Sequence, residues 1–178
     1  YNMTFASSID LMGFGETTAE GTCDASFASV QMPENVTFDG GSANGGKIRN
    51  MCIAVDIKDK DDVMKGPRGF FSTVSKCLVK NVDFKNVRIV VKDSRPAMEA
   101  GRSGADYYPV GALAGVVTSA TLESVILEDV NINAPFAGGV VGYLNESSVR
   151  NVTATDDLVV ENSLQLNLAA NDYAGIKV

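Results

Sequence analysis

The sequence of 178 residues contains no histidine. Histidine is the commonest general base in enzymes and a frequent metal ligand, so its absence excludes Ser-His-Asp triads, Cys-His pairs and histidine-ligated zinc centres. Any catalysis would depend on carboxylates, lysine or tyrosine. We therefore expect a protein that is not an enzyme and that carries no cofactor.

Long apolar runs are also missing. The longest apolar segments, such as "VGALAGVV" beginning at Val110, are short and rich in glycine, well below the roughly 18 residues that cross a bilayer. Basic residues are scarce too, because 22 acidic residues against 15 basic ones give a net charge of -7. This balance disfavours anionic membranes and nucleic acid, whose binding depends on neutralising phosphates. We expect no membrane insertion and no nucleic-acid partner.

Cysteines are few. Cys23, Cys52 and Cys77 are odd in number, too sparse for a disulfide scaffold and without the spacing of a metal site. One disulfide with one buried thiol and three buried thiols are equal alternatives. Asn-X-Ser/Thr sequons accept glycans in secreted eukaryotic chains and are otherwise turn residues. Their asparagines are Asn2, Asn35, Asn145 and Asn151.

What the sequence does contain is an internal repeat, the feature that separates a solenoid from an ordinary sandwich. At one constant offset the matched positions are Gly111 with Gly138, Gly115 with Gly142, Leu122 with Val149, Val125 with Val152, and Ile132 with Val159. A signature of an apolar residue, a usually basic residue, Asn or Ser, and an apolar residue occurs as "IRNM", "VKNV", "LESV" and "VRNV", ending at Met51, Val82, Val125 and Val152. Polar inserts at 56–69 and 92–109 explain the unequal spacing.

Between these signatures the apolar residues alternate with polar ones, as in Val87, Ile89 and Val91, which is the pattern of half-buried strands. Short strands separated by corners predict an all-β fold, a parallel β-solenoid of about 27 residues per coil. Such coils stack about 4.8 Å apart and bury in the interior the apolar residues that a single coil leaves uncovered.

The signatures predict vertical files of side chains. The inward files are Ile48, Val79, Leu122 and Val149, and Met51, Val82, Val125 and Val152. The residues between them, Asn50, Asn81, Ser124 and Asn151, form a structural ladder at a corner, where amides hydrogen-bond along the axis and Asn tolerates the strained turn. The outward file of Arg49, Lys80, Glu123 and Arg150 is either an anion site or, as we favour, a solvated face with opposite charges side by side. The glycines of "GALAG" and "GGVVG" precede no lysine and no helix, which excludes a P-loop, so we expect them to permit close approach of coils.

The segments "VGALAGVVTSATLESVILEDVNI" and "AGGVVGYLNESSVRNVTATDDLVV" resemble the GLUG-type repeat, in which a Gly-hydrophobic-hydrophobic-Gly element leads to a "V-x-N-V-x" strand. The resemblance covers Val110 to Val160 well and Gly66 to Val91 loosely. It implies a right-handed β-solenoid of a bacterial surface or secreted protein, such as an adhesin, and it implies little about activity.

Two candidate sites follow. Asp129 and Asp156 align on successive coils, where two stacked carboxylates repel unless a cation lies between them, so they form either a structural calcium site or solvated corners, which we favour. The insert 92–109 is the best candidate for ligand binding, because a long loop on a rigid scaffold is a common place for recognition. Its guanidinium and aromatic groups, suited to a sugar or a protein, are Arg95, Arg102, Tyr107 and Tyr108.

The predicted organisation has three parts. Residues 1–46, which contain no lysine or arginine, form a cap that packs on the solenoid or an extension that is exchanged between subunits. Residues 47–168 form the coils, and 169–178 a C-terminal extension. We expect a non-catalytic extracellular or cell-surface module with a structural or adhesive role, which binds itself end to end, as in a filament, or a host or surface protein or glycan. The alternative is a carbohydrate-active solenoid, either a polysaccharide-binding module or a calcium-dependent lyase.

Overall fold

The computed structural model describes residues 2–4, 8–11, 23, 26–42, 46–58, 66–93, 109–155 and 157–162. Within these ranges the chain forms β-strands, bends and turns without an α-helix. The strands are β1 (Asn2–Thr4), β2 (Ile9–Asp10), β3 (Thr37–Asp39), β4 (Ile48–Arg49), β5 (Cys52–Ile57), β6 (Phe71–Ser75), β7 (Leu78–Asp93), β8 (Ala114–Thr118), β9 (Thr121–Ala134), β10 (Val141–Asn145), β11 (Ser148–Ala154) and β12 (Val159–Asn162). The predicted all-β class is confirmed. The same ranges contain no helix that is long and apolar enough to span a membrane.

The strands form two parallel sheets. A nine-stranded sheet is centred on β7 and β9, and a three-stranded sheet has the order β10-β8-β6. Residues 1–46, predicted as a cap or exchanged segment, contribute β1, β2 and β3 to the larger sheet through pairings with β3, β4 and β7. The insert predicted at 56–69 is shorter than expected at both ends, since β5 continues to Ile57 and Arg68 forms a bridge with Val110.

The register of the long strands follows the repeat. Leu122 lies opposite Val149 and Val125 opposite Val152, both at the offset predicted from the sequence. On the other side of β9, Val79 lies opposite Leu122 and Val82 opposite Val125. The predicted alignment of these three signatures is therefore confirmed.

The predicted position of the first signature is wrong. Ile48 lies opposite Phe84 rather than Val79. The residue of β3 that lies opposite Val79, on the side away from β9, is Phe38. The reason is that β7 contains the signature twice, as "VKNV" from Val79 and "FKNV" from Phe84. The sequence "IRNM" fits both, and the structure uses the second.

The last predicted pair is also wrong. Ile132 lies opposite Val160, not Val159, so the offset between β9 and β12 is longer by a single residue than the offset between β9 and β11. Leu158 donates its backbone N–H to the carbonyl of Thr155 over 3.1 Å. The backbone therefore takes up this additional residue between β11 and β12.

Corners of the chain path are marked by left-handed backbone. The angle φ is +53° at Lys76, +55° at Asn81 and +54° at Asn86, each five residues from the next. The following repeat has the same conformation at Ser119, Ser124 and Asp129. Because each corner residue interrupts the alternation, the buried Val79 and Val82 flank Asn81 at a spacing of three instead of two. The signature thus encodes a strand end, a corner and a strand start.

The core consists of apolar files that run from strand to strand. Phe38, Val79 and Leu122 occupy matching positions and are at most 3% exposed, and Ile53, Ile89 and Ile132 are completely buried in another file. Five phenylalanines fill the interior near β3 and β6, with ring centroids of contacting pairs 4.8 to 6.4 Å apart. These are Phe27, Phe38, Phe70, Phe71 and Phe84.

Gly115 and Gly142 lie where the backbone of another segment passes closely. A Cβ atom on Gly115 would lie under 3.0 Å from Pro67 Cβ, and one on Gly142 would lie equally close to the backbone N of Val110. Real Cβ atoms do not approach other heavy atoms so closely, so any larger residue requires the backbone to shift. The close approach predicted for the glycines of "GALAG" and "GGVVG" is confirmed at these two positions.

We expect Gly142→Ala to lower the free energy of unfolding by about 1–3 kcal/mol, because the added methyl group must displace backbone atoms. The matched control is Gly139→Ala, whose Cβ would meet nothing closer than Leu158 Cδ2 at 3.5 Å. Chemical denaturation of the wild type and both variants measures the difference. Equal stability of the two variants would contradict the close approach at Gly142.

Candidate functional site

The polar ladder divides into two files. Arg49 pairs with Lys85, so Asn50 lies beside Asn86 on the adjacent strand. Asn50 is therefore not in the predicted file with Asn81. The Asn86 side chain donates from Nδ2 to Asn50 Oδ1 over 2.6 Å, and Asn50 Nδ2 donates to Asp10 Oδ1 over 2.8 Å. The two asparagine amides therefore form a hydrogen-bonded chain across three strands.

The second file contains the remaining predicted residues. Asn81, Ser124 and Asn151 occupy matching corners between residues that pair directly, and all three have φ between +53° and +56°. Asn81 Nδ2 donates to Asp39 Oδ1 over 3.1 Å. Asn and Ser are suited to these corners because a short polar side chain makes the left-handed conformation less costly.

The predicted metal pair is described only in part. In β9, Asp129 occupies the corner that matches Asn86 in β7; it is exposed and has φ of +54°. Asp156 lies outside the described residues. Among the residues that the structure describes there is no group of three acidic, cysteine or histidine side chains able to hold a metal ion. Asp129 lies in the asparagine file next to Asn86, and the calcium site and the solvated corners both stay predictions.

The outward charged file differs from the prediction. Arg49 lies opposite Lys85 and 3.9 Å from Asp10, so it does not join Lys80. The residue opposite Lys80 on β3 is Asp39, and Lys80 Nζ lies 3.3 Å from Asp39 Oδ2. The file therefore alternates in sign along the stack, as Asp39, Lys80, Glu123 and Arg150. Alternation of this kind favours a solvated, paired face over an anion site.

A buried carboxylate lies in β7 just after the corner at Asn81. Asp83 is 8% exposed and its Oδ1 has no hydrogen-bond partner among the described residues. Lys47 Nζ is 3.1 Å from Glu128 Oε2, and Lys85 forms a second ion pair with Glu128. Burial raises the pKa of Asp83, with Lys47 and Ser42 opposing the shift. Hydrogen bonds from Lys85 and Lys47 lower the pKa of Glu128.

This charge cluster of Lys47, Asp83, Lys85 and Glu128 was not predicted. The alternation of apolar and polar residues in the sequence predicts that the Asp83 side chain lies on the outer face of its strand. No local sequence pattern indicates that the segment around Lys47 covers this side chain. Long-range contacts of this kind, 81 residues apart in the case of Lys47 and Glu128, follow from the register of the paired strands.

The predicted binding residues Arg95, Arg102, Tyr107 and Tyr108 all lie outside the described residues. The structure does describe where their insert leaves and rejoins the sheets. Asp93 lies opposite Ile57, and Val110 is bridged to Arg68. The inserts after β5 and after β7 therefore depart from adjacent strands and return to adjacent strands, so they start and end side by side.

The cysteines form one disulfide and one buried thiol, so the first of the two predicted alternatives is confirmed. Cys23 and Cys52 are bonded with a Cα–Cα distance of 5.8 Å. The buried Cys77 has its Sγ 3.2 Å from the Pro33 carbonyl and 3.0 Å from that of Ser75. The bond ties residue 23 to β5. The sequon asparagines Asn2, Asn35, Asn145 and Asn151 are all exposed, and their glycosylation stays a prediction.

No protein-family model matches the chain, and no curated protein or solved structure matches it.

We expect Asp83→Asn to raise the melting temperature at neutral pH. The pKa of Asp83 is raised in the folded state, so protonation of Asp83 stabilises the fold below the ordinary pKa of 3.8. This stabilisation is lost as the pH rises through the raised folded-state pKa. The gain from Asp83→Asn should therefore disappear in acid, where Asp83 is protonated in both states. Thermal unfolding at a series of pH values measures it.

The matched control is Glu128→Gln, which should act in the opposite direction. Because the pKa of Glu128 is lowered, its contribution is present above its ordinary value of 4.5 and is lost on acidification. This variant should lower the melting temperature at neutral pH and match the wild type in acid. A neutral-pH loss of stability in Asp83→Asn would contradict the assignment of Asp83 as a buried, destabilising charge.

Proposed function

We propose that this protein is a right-handed β-solenoid that serves as a non-catalytic, extracellular or cell-surface module with a structural or adhesive role. The observation that carries the proposal is the parallel, in-register pairing of successive repeats. Phe71 pairs with Ala114 and Ala114 with Val141 in the small sheet, while Val82 pairs with Val125 and Val125 with Val152 in the large one.

The solenoid path is supported by the order of these pairings along the chain. From β6 the chain passes through β7 and then reaches β8, which lies beside β6; from β8 it passes through β9 and reaches β10 beside β8. Each circuit therefore advances by one strand in both sheets. The right-handed sense follows from the strong preference of parallel β-connections for that hand.

The non-catalytic role is supported by the way in which charged groups are used. The carboxylates of Asp39 and Glu128 are engaged by lysines, and that of Asp10 by Asn50 and Arg49. Asp83 is buried under the segment of Lys47 on an outer side of the coil. The ion pairs and hydrogen bonds of Asp10, Asp39 and Glu128 join neighbouring strands, which favours a structural use of these three carboxylates.

An extracellular location is supported by the disulfide between Cys23 and Cys52, because such bonds persist in oxidising compartments. The resemblance to GLUG-type repeats leads to the same location. The insert that carries Arg95, Arg102, Tyr107 and Tyr108 is the proposed contact with a surface glycan or protein, since a long insert between strands of a rigid scaffold is a common place for recognition, and the two inserts start and end on adjacent strands.

We expect the protein to bind at least one polysaccharide of an immobilised panel that includes neutral and uronic-acid polymers. Deletion of 94–108 should weaken that binding at least about tenfold, a loss of roughly 1.4 kcal/mol, and leave the melting temperature nearly unchanged. Deletion of 59–65 is the matched control, because it removes the neighbouring insert and spares the four proposed residues.

Incubation with polyuronates separates this role from the alternative. Unsaturated products that vanish on addition of a chelator would identify a calcium-dependent lyase and overturn the non-catalytic role. Binding that is unaffected by the deletion of 94–108 would remove that insert as the contact surface.

A further inference from the structure

Strands β3 and β4 lie along the same edge of β7, and the chain between them is longer than the part of β7 that it spans. The last residue of β3 lies opposite Lys80, and the first residue of β4 lies opposite Phe84. Residues 40–47 therefore bridge a stretch that β7 covers with 81–83 alone. We use the name latch for the described residues of this bridge, which are Gly40, Gly41, Ser42, Gly46 and Lys47.

The latch lies directly on β7. Gly40 donates its backbone N–H to the carbonyl of Lys80 over 2.9 Å, and a Cβ atom on Gly40 would lie 2.5 Å from the carbonyl oxygen of Asn81. The Ser42 hydroxyl donates a hydrogen bond to the Asp83 carboxylate. The latch thus covers Asp83, which explains why an outward-facing side chain of β7 is buried.

The carboxylate under the latch is poorly compensated. Asp83 Oδ1 is buried and has no hydrogen-bond partner among the described residues. The cation of the latch, Lys47, is shared with Glu128, since Lys47 Nζ lies 3.1 Å from Glu128 Oε2. The titratable groups around Asp83 are therefore Lys47 on the latch, Glu128 on β9 and, paired with Glu128, Lys85 on β7. A buried charge that lacks a partner costs free energy, and hydration of the carboxylate recovers it.

The two carboxyls of this cluster respond to pH in opposite directions. Burial raises the pKa of Asp83, so its contribution to closure is complete below the ordinary value of 3.8 and is lost as the pH rises through the raised value. Hydrogen bonds from Lys85 and then Lys47 lower the pKa of Glu128. The part due to Lys47 supports closure above the ordinary value of 4.5 and is lost on acidification. Closure is therefore strongest at acidic pH, between these two losses.

We propose that the latch is a pH-sensitive device, which closes over protonated Asp83 and shifts toward an open form when Asp83 ionises. Opening hydrates the carboxylate and separates Lys47 from Glu128. The change is local, because Val82 and Phe84 are completely buried on the opposite face of β7 and keep their contacts. The proposal depends on the observed strand pairing and is independent of the adhesive role.

Amide hydrogen exchange of the 178-residue chain across a pH series tests the proposal, after correction for the pH dependence of exchange in an unstructured chain. The reporters are the amides of Gly40 and Gly46, each in a backbone hydrogen bond of 2.9 Å. We expect their protection to fall several-fold between about pH 4 and about pH 7, relative to the Thr121 amide, whose 2.9 Å hydrogen bond lies outside the latch. The fall should coincide with ionisation of the Asp83 carboxyl, measured by carbon NMR.

A variant that cannot ionise separates this device from a general effect of pH. Asp83→Asn should keep the reporter amides as protected at neutral pH as they are in the wild type at acidic pH. The matched control is Glu123→Gln, which removes a carboxylate of β9 that forms no ion pair among the described residues. This control should retain the wild-type pH profile.

Three results would overturn the proposal. The first is protection of Gly40 and Gly46 that follows the protection of Thr121 at every pH. The second is a wild-type pH profile in Asp83→Asn, and the third is protection of the latch that increases as Asp83 ionises. The polysaccharide panel decides the adhesive role separately in each case.

Discussion

The structure depends on parallel pairing of each strand with the strand one repeat away. A single repeat is one strand layer thick, so its apolar side chains become buried only when the paired strands of the next repeat cover them. The pairing of Val82, Val125 and Val152 shows the consequence along one file: the first two are completely buried and the last is 42% exposed. Stability therefore arises from contacts between layers.

Corners make this stacking possible. Left-handed residues at intervals of five turn the chain without breaking the hydrogen-bonding of the sheet, and Asn fills this role at Asn50, Asn81, Asn86 and Asn151. The same side chains join neighbouring strands, as in the chain of hydrogen bonds from Asn86 through Asn50 to Asp10. Glycine has a related role where chain segments come closest, at Gly115 and Gly142. Sequence features that resemble binding motifs, such as the glycine-rich and asparagine-rich segments, thus serve the architecture.

Much of the fold follows from local sequence because the repeat is undisturbed between β8 and β11. The alignment of Val125 with Val152 needed only the signature and its spacing. The alignment of Ile48 did not follow, because "VKNVDFKNV" offers two equivalent corners and only the tertiary path selects Asn86. The shift at Val160 had no local signal either, since one added residue in a turn leaves alternation on both sides intact. For the candidate sites, the corner ladder was predictable in kind, whereas burial of Asp83 depends on a contact with a distant segment.

Cross-linking of two outward residues tests the stacking most directly. Glu123 and Arg150 lie opposite each other on adjacent parallel strands, where Cα atoms are about 5 Å apart and within the range that a disulfide spans. The variant with Glu123→Cys and Arg150→Cys should form an intramolecular disulfide under mild oxidation. The variant with Glu123→Cys and Thr153→Cys, whose second cysteine lies beyond the corner at Asn151, should not. Failure of the first pair to cross-link, or equal cross-linking of both pairs, would contradict the stacked register.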